Sequence, residues 1–352
     1  MGLYDKFARL AGDREQFQTS GLNPFGTCID EVYSATQGRI GDQKIVLAGT
    51  NNYLGLTFDA QAIAAGQSAL AALGTGTTGS RMANGSYGSH LALERELAAF
   101  FDRPSAIVFS TGYTANLGVI STLAGPGSVV LIDADSHASI YDACALGGAE
   151  IIRFRHNDAA DLERRMVRLG ERAREALIIV EGIYSMLGDV APLVEIVDIK
   201  RRLGGYLLVD EAHSFGVMGE HGRGLAEALG VEQDVDIIMG TFSKSLASIG
   251  GFAVGGKGMD VLRYSSRPYI FTASPSPSSI ASVRTALQKI ARQPELREKL
   301  WSNAHRLYHG LAELGYTLGP RISPVVPVMI GSKEDGLRFW RELIAHGVYV
   351  NL

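Results

Sequence analysis

The chain has 352 residues, of which 46% are hydrophobic and 20% charged, a balance that excludes a disordered or fibrous protein and supports a large buried core. Lys and Arg total 33 against 37 Asp and Glu, for a formal net charge of −4; with no basic run anywhere, the chain lacks the electrostatic footprint of a nucleic-acid partner. Two cysteines, Cys28 and Cys144, cannot form a disulfide framework and point to a reducing, cytoplasmic setting, and apolar runs of about five or six residues fall far short of the ~20 that a membrane helix needs.

In chain order, residues 4–19 are predicted as a helix with a polar face, carrying acids and no apolar stretch of the secretory type. Residues 28–50 are predicted as short strands around turns at Gln37-Gly38-Arg39 and Gly41-Asp42. A helix from Asp59 to about Leu73, a Gly/Ser/Thr/Asn loop over 74–90 and a helix over 90–101 follow. Short apolar runs then recur at 106–110, 128–133, 150–154, 176–182, 206–210, 236–241 and 252–256, most of them a helix length apart. Continuous apolar strands alternating with helices predict a mostly parallel seven-stranded sheet covered on both faces. The gap between the last two runs is too short for a full crossover helix, so that pair is predicted to be antiparallel or to carry an irregular link. Beyond Arg267-Pro268 the expected elements are a strand at 269–277, helices near 277–292 and 295–314, a strand at 324–330, a helix at 333–346 and the start of a strand at Val348. The pattern divides into an N-terminal helix and strands (1–48), a large α/β domain (49–267) and a smaller C-terminal α/β domain (268–352) that stops inside an element.

Five segments carry candidate chemistry. Gly74, Gly76 and Gly79 spell G-x-G-x-x-G, but they follow a helix rather than a strand, which argues against a dinucleotide site. Val209 to Ser214, VDEAHS, places Asp210, Glu211 and His213 where a strand ends, so that acid and imidazole could face one site. Gly240 to Gly251, GTFSKSLASIGG, holds Lys244 among small residues with no neighbouring charge, and it does not fit the P-loop pattern. Ser110 to Gly118, STGYTANLG, can turn a helix N-terminus toward a phosphate. Asp133 to Asp142, DADSHASIYD, sets His137 and Tyr141 after another strand end. The histidines lack metal-ligand spacing. A lysine that can form a Schiff base, a phosphate seat, an aspartate for a pyridine nitrogen and a ring to stack together define a pyridoxal 5'-phosphate (PLP) site.

From about Gly49 to Leu352 the chain resembles the α-oxoamine synthases, fold-type-I PLP enzymes, through GTNNYLG, STGYTANLG, DADSHASIYD, EGIYSMLGD, VDEAHSFGVMGEHGRG, GTFSKS and RPYIFTAS in combination. DEAHS, RPYIFTAS, RFRHN and LWSNA look closest to the bacterial, serine-using branch, whereas the 8-amino-7-oxononanoate branch usually reads D-D-A-H-G and the glycine-using ligase branch D-D-C-H. The resemblance implies that Lys244 carries the cofactor, Asp210 pairs with its ring nitrogen, His213 bonds its phenolic oxygen with Ser185 alongside, and His137 stacks on the ring as a catalytic and substrate-binding group. Gly112 and Tyr113 would seat the phosphate with Thr241 and Ser243, Thr272 would reach the phosphate of a neighbouring subunit, and Asn52 would lie near the amino-acid carboxylate. The implied reaction is a decarboxylative Claisen condensation of L-serine with a long-chain acyl thioester, on CoA or a carrier protein, to 3-ketosphinganine, by a homodimer with shared active sites that touches a membrane at most transiently. The alternatives are an alanine- or glycine-using member or a non-catalytic PLP-binding subunit. The family continues past the VYVN strand by several dozen residues that carry an arginine for the substrate carboxylate, so the chain ending at Leu352 reads as incomplete.

Overall fold

The computed structural model describes residues 2–19, 24 and 26–352, which form two compact units, Met1–Asn51 with Met329–Leu352 and Asn52–Val328. In the first unit, β1 (Glu31–Ser34), β2 (Gln37–Ile40) and β3 (Gln43–Leu47) make an antiparallel meander. Residues 37–39, anticipated as a turn, are therefore strand: Gly38 lies so close to the Glu31 carbonyl (a Cβ would sit 2.7 Å away) that its missing side chain serves pairing rather than turning. Asn351 donates from its side chain to the Gly49 carbonyl at 2.8 Å, and Trp340 Nε1 donates to the Val350 carbonyl at 2.9 Å, tying the helix Lys333–Ala345 and the last residues into this unit.

The second unit contains β4 (Ser105–Phe109), β5 (Val129–Asp133), β6 (Glu150–Phe154), β7 (Leu177–Glu181), β8 (Tyr206–Asp210), β9 (Ile237–Thr241) and β10 (Gly251–Gly255). They form one sheet in the order β4-β10-β9-β8-β7-β5-β6, with β10 antiparallel to both neighbours and the other pairings parallel. The mostly parallel seven-stranded expectation and the antiparallel last pair both hold. The final element, β11 (Val348–Tyr349), pairs parallel to β3 in the first unit.

Alternation along the strands sorts the core into two layers. Val108, Leu131, Ile178, Val180, Val209 and Phe252 face one way, toward helices Gly88–Phe100, Ala159–Leu169, Leu193–Leu203 and Pro277–Arg292. Ile107, Val130, Ile132, Ile179, Leu208 and Met239 face the other way, toward Gly112–Leu123 and Ala138–Gly147. Among the described residues no helix is long and apolar enough to cross a membrane.

Three expectations in the C-terminal third give way. Residues 269–277 begin not as a strand but as the end of a short helix, Arg267–Ile270, whose first turn accommodates Pro268 because that position needs no N–H partner. Residues 324–330 are irregular: Pro324 and Pro327 cannot donate to a ladder, and only a bridge between Leu318 and Val328 forms. Residues 268–328 belong to the sheet-bearing unit instead of a separate C-terminal domain, because Pro277–Arg292 buries Ile280, Val283, Leu287 and Ile290 in the sheet's core.

Phe252, fully buried, meets the rings of Phe101, Phe215 and Phe242 at centroid distances of 5.5, 5.3 and 5.9 Å. Phe252→Ala is expected to lower unfolding free energy by about 3–5 kcal/mol, read as a reduced denaturant midpoint.

Candidate active site

Parallel strands in shared register bring their carboxyl ends to one edge, and that edge is where open α/β sheets bind ligands. Glu181 is paired with Asp210 and Asp210 with Met239, so the ends of β7, β8 and β9 stand side by side. A cavity of about 360 Å³ opens there, lined among others by Gly112, Tyr113, His137, Glu181, Asp210, His213, Thr241, Ser243 and Lys244.

Lys244 is delivered by the short link between β9 and β10. Phe242 and Leu246, both fully buried, pin the link, and Ser245 donates to the Phe215 carbonyl at 2.7 Å. Ala247 takes a left-handed conformation (φ 52°), with its N–H donated to the Lys244 carbonyl at 2.9 Å. Burial lowers the Lys244 amine below the ordinary lysine range, and the charges of Asp210 and Glu181 oppose that only in part.

Asp210 is held by two donors: the Ala212 N–H at 2.9 Å and the Asn116 side-chain amide at 2.8 Å. The same Asn116 nitrogen donates to Ser139 Oγ at 2.9 Å, and Ser139 Oγ lies 2.7 Å from His137 Nδ1. His137 is the N-cap of helix Ala138–Gly147, and the Ser139 N–H donates to its Nδ1 at 3.2 Å. Nδ1 is thus an acceptor, which leaves the proton on Nε2. The His137 backbone N–H in turn donates to Glu181 at 2.5 Å. Burial, reinforced by the Asp210 charge, pushes the Glu181 carboxyl up to about 8.

His213 sits 2.7 Å from the Tyr53 hydroxyl through Nδ1. Burial, with the nearby Lys244 charge, drives its imidazole down to about 3, so it is neutral throughout the physiological range. Across the cavity, the helix Gly112–Leu123 begins at Thr111, whose hydroxyl accepts the Thr114 N–H at 3.0 Å. The N–H groups of Gly112 and Tyr113 have no intrahelical acceptor by geometry. Thr241 Oγ1 lies 2.9 Å from Ser243 Oγ beside them. The approach is close enough that a Cβ on Gly251 would stand 2.4 Å from the Thr111 carbonyl and 2.6 Å from the Gly112 nitrogen. Glycine is required there for β10 to pass the helix end.

The structure therefore gathers eight sequence-predicted residues around one cavity: Lys244, Asp210, His137, His213, Gly112, Tyr113, Thr241 and Ser243. Ser185, Thr272 and Asn52 are half-buried and do not line it. Asn52 donates to Thr57 Oγ1 at 2.7 Å. Glu211 does not share a site with His213. Its carboxylate turns inward to accept the N–H groups of Leu225 and Ala226, each at 2.9 Å, together with the Ser214 hydroxyl. It caps the start of the short helix Leu225–Ala228. Asn116, Ser139, Glu181 and Tyr53 were not singled out by motif. All four lie inside quoted motifs (Tyr53 in GTNNYLG, Asn116 in STGYTANLG, Ser139 in DADSHASIYD and Glu181 in EGIYSMLGD), which was the available signal.

Residues 43–351 match the family model described as aminotransferase class I and II, and the chain belongs to that family. It is 57% identical to the serine palmitoyltransferase of Caulobacter vibrioides, covering 100% of this chain and 87% of that one. A solved serine palmitoyltransferase from S. paucimobilis, with a bound PLP–myriocin aldimine, superposes with a TM-score of 0.97 at 46% identity over 100% of this chain and 92% of that one. The Sphingomonas wittichii serine palmitoyltransferase gives a TM-score of 0.96 at 47% identity, covering 100% and 89%. The fold is that of a fold-type-I PLP transferase.

Because Glu181 binds its proton more tightly folded than unfolded, it contributes stability that is complete below about 4.5 and lost as pH rises through about 8. In the cofactor-free protein, Glu181→Gln is expected to flatten the fall in melting temperature across that window. An unchanged slope, read by scanning fluorimetry at stepped pH, contradicts the burial of a protonated Glu181.

Proposed function

We propose that this enzyme condenses L-serine with a long-chain acyl thioester of the palmitoyl-CoA type, with loss of CO2, to give 3-ketosphinganine. The reading is carried by a buried, depressed lysine amine set among Asp210, His137 and His213 at the sheet edge, in a chain 57% identical to a serine palmitoyltransferase. The cofactor is PLP.

The residues present fit PLP. Amide N–H groups at the start of Gly112–Leu123 and the hydroxyls of Thr241 and Ser243 would hold its phosphate. Asp210 would hold its ring nitrogen, neutral His213 its phenolic oxygen, and the His137 imidazole a ring face. The Asn116 Oδ1 beside Asp210 is buried without a hydrogen-bond partner, as in a site shaped for a polar guest. Ser185 and Thr272, outside the cavity wall, would contribute from the flanking loops, Thr272 toward a second subunit. Bound PLP supplies an electrophilic carbonyl for amines and a cationic ring that withdraws the electron pair left at Cα.

Lys244 anchors the cofactor until the serine amine takes its place. Its amine, lowered by burial below the ordinary lysine range, then accepts the serine Cα proton. Asp210, fixed by Asn116 and Ala212, would face the ring nitrogen. The Cα–acyl bond forms as the thioester C–S bond breaks and the thiol leaves; the Cα–carboxylate bond breaks to release CO2, and Lys244 returns a proton to Cα. His137, its Nε2–H set by Ser139, donates toward developing negative charge on substrate oxygen. Asn52 would lie near the serine carboxylate. The exposed apolar side chains Met186, Ile249, Tyr264 and Phe271 suit self-association into a homodimer, and a cytoplasmic enzyme would meet a membrane only to release its lipid product.

Purified protein with PLP, serine and palmitoyl-CoA is expected to release thiol and form a long-chain ketone, and a stronger response to glycine or alanine than to serine would reassign the amino acid. Lys244→Ala should abolish borohydride fixation of the cofactor. Asp210→Asn should slow exchange of the serine Cα proton with deuterium by roughly a hundredfold or more, measured by NMR in D2O; an unchanged rate removes Asp210 from its role.

A further inference from the structure

Outside the cavity wall, one imidazole is gripped by carboxylates at both ring nitrogens. His156 Nδ1 lies 2.8 Å from Asp133 Oδ1, and its Nε2 lies 2.8 Å from Asp189 Oδ2. A neutral imidazole has a single N–H, so two carboxylate acceptors on opposite nitrogens are both satisfied only by the imidazolium. The ring stands edge-on to Tyr184 with centroids 4.6 Å apart. Asn157 repeats the bridge: its N–H donates to Asp133 Oδ2 at 2.9 Å and its side-chain amide to Asp189 Oδ2 at 2.8 Å. Asp133 and Asp189 are themselves buried.

The two anchors belong to different segments that flank the proposed cofactor site. Asp133 ends β5 and accepts the Asp135 N–H at 2.9 Å, at the head of the turn that leads to His137. Asp189 closes the loop that carries Ser185: the Tyr184 N–H donates to the Asp189 carbonyl at 2.9 Å, and the Gly188 N–H donates to the Tyr184 carbonyl at 3.0 Å. We propose that His156 is a positioning residue, a charged clip that fixes the His137 turn after β5 and the Ser185 loop after β7 relative to each other and so sets two flanks of the site. The inference rests on the PLP reading of the cavity.

The charged and titratable groups against His156 are Asp133, Asp189, Asp135 at 3.9 Å and Tyr184, whose ring packs edge-on. On its own segment, Arg155 pairs with Asp158 at 2.6 Å and Asp161 with Arg164 at 3.0 Å, which leaves those charges engaged elsewhere. Burial pulls the imidazole down, and the hydrogen bonds and charges of Asp133 and Asp189 outweigh it, so the net shift is upward. The clip is therefore fully charged below the ordinary histidine value and lets go as pH rises through the raised one.

Hydrogen–deuterium exchange, corrected for intrinsic rates, tests this on the PLP-loaded protein, on His156→Gln and on Asp189→Asn. Both variants are expected to exchange at least ~10-fold faster at 134–140 and 183–190 together, a loss of about 1.4 kcal/mol of local protection, with β8 and β9 unchanged. The wild type should show the same paired rise only on the alkaline side, and the variants should show no such step. Unchanged protection in both variants, or a rise confined to one segment, overturns the proposal. If neither variant folds, the wild-type pH series decides alone, and absence of a paired alkaline rise overturns it. Exchange is read without turnover, so a protein that never takes up PLP would sink the functional reading while leaving the clip measurable.

Discussion

Two carboxyl groups on directly paired strand positions, Glu181 and Asp210, are buried side by side at the floor of the cavity. Two adjacent negative charges cannot be kept away from water cheaply, and Glu181 answers by retaining its proton up to about 8. What remains is a floor that favours a cationic partner on its open side. The Lys244 side chain lines the same cavity, within reach of both carboxyl groups. The Asn116–Ser139–His137 chain extends the same floor up one wall, since a single amide nitrogen serves both Asp210 and Ser139.

The fold was legible where apolar runs were continuous. The seven strands of the large sheet fall within two residues of the runs that announce them, because most of these strands are buried on both faces and have no polar alternation to confuse their limits, the edge strand β6 excepted. The failures cluster where proline decides. Around Pro268 an aromatic, β-branched run reads as strand, yet a proline in the first turn of a helix is equally comfortable; at Pro324 and Pro327 the same apolar richness cannot overcome the missing donors. Cavity residues at strand ends were legible for a related reason: the ends of parallel strands converge whatever the loops do. Ser185, Thr272 and Asn52, on connections with no such constraint, were not placed in the cavity wall.

Glu211 shows the limit of reading chemistry from adjacency. It stands next to Asp210 in sequence, but successive residues at a strand end point to opposite sides. One acid therefore serves the cavity while the other stitches down the chain start of Leu225–Ala228. The spacing of acid and imidazole carried no information about which acid was meant; only the alternation of the strand does.

The antiparallel insertion of β10 bears on how the molecule is made. β9 and β10 are neighbours along the chain and can zip up as a hairpin soon after both emerge. The other edge of β10 closes on β4, which precedes it in the chain by every other strand of that sheet, and this seam is where Gly251 slides past the start of Gly112–Leu123. The start of Gly112–Leu123 and the link that carries Lys244 thus meet only when this gap in the sheet closes. A chain that lacks β10 has no seam beside Gly112, so that wall of the cavity is completed only after this strand is added.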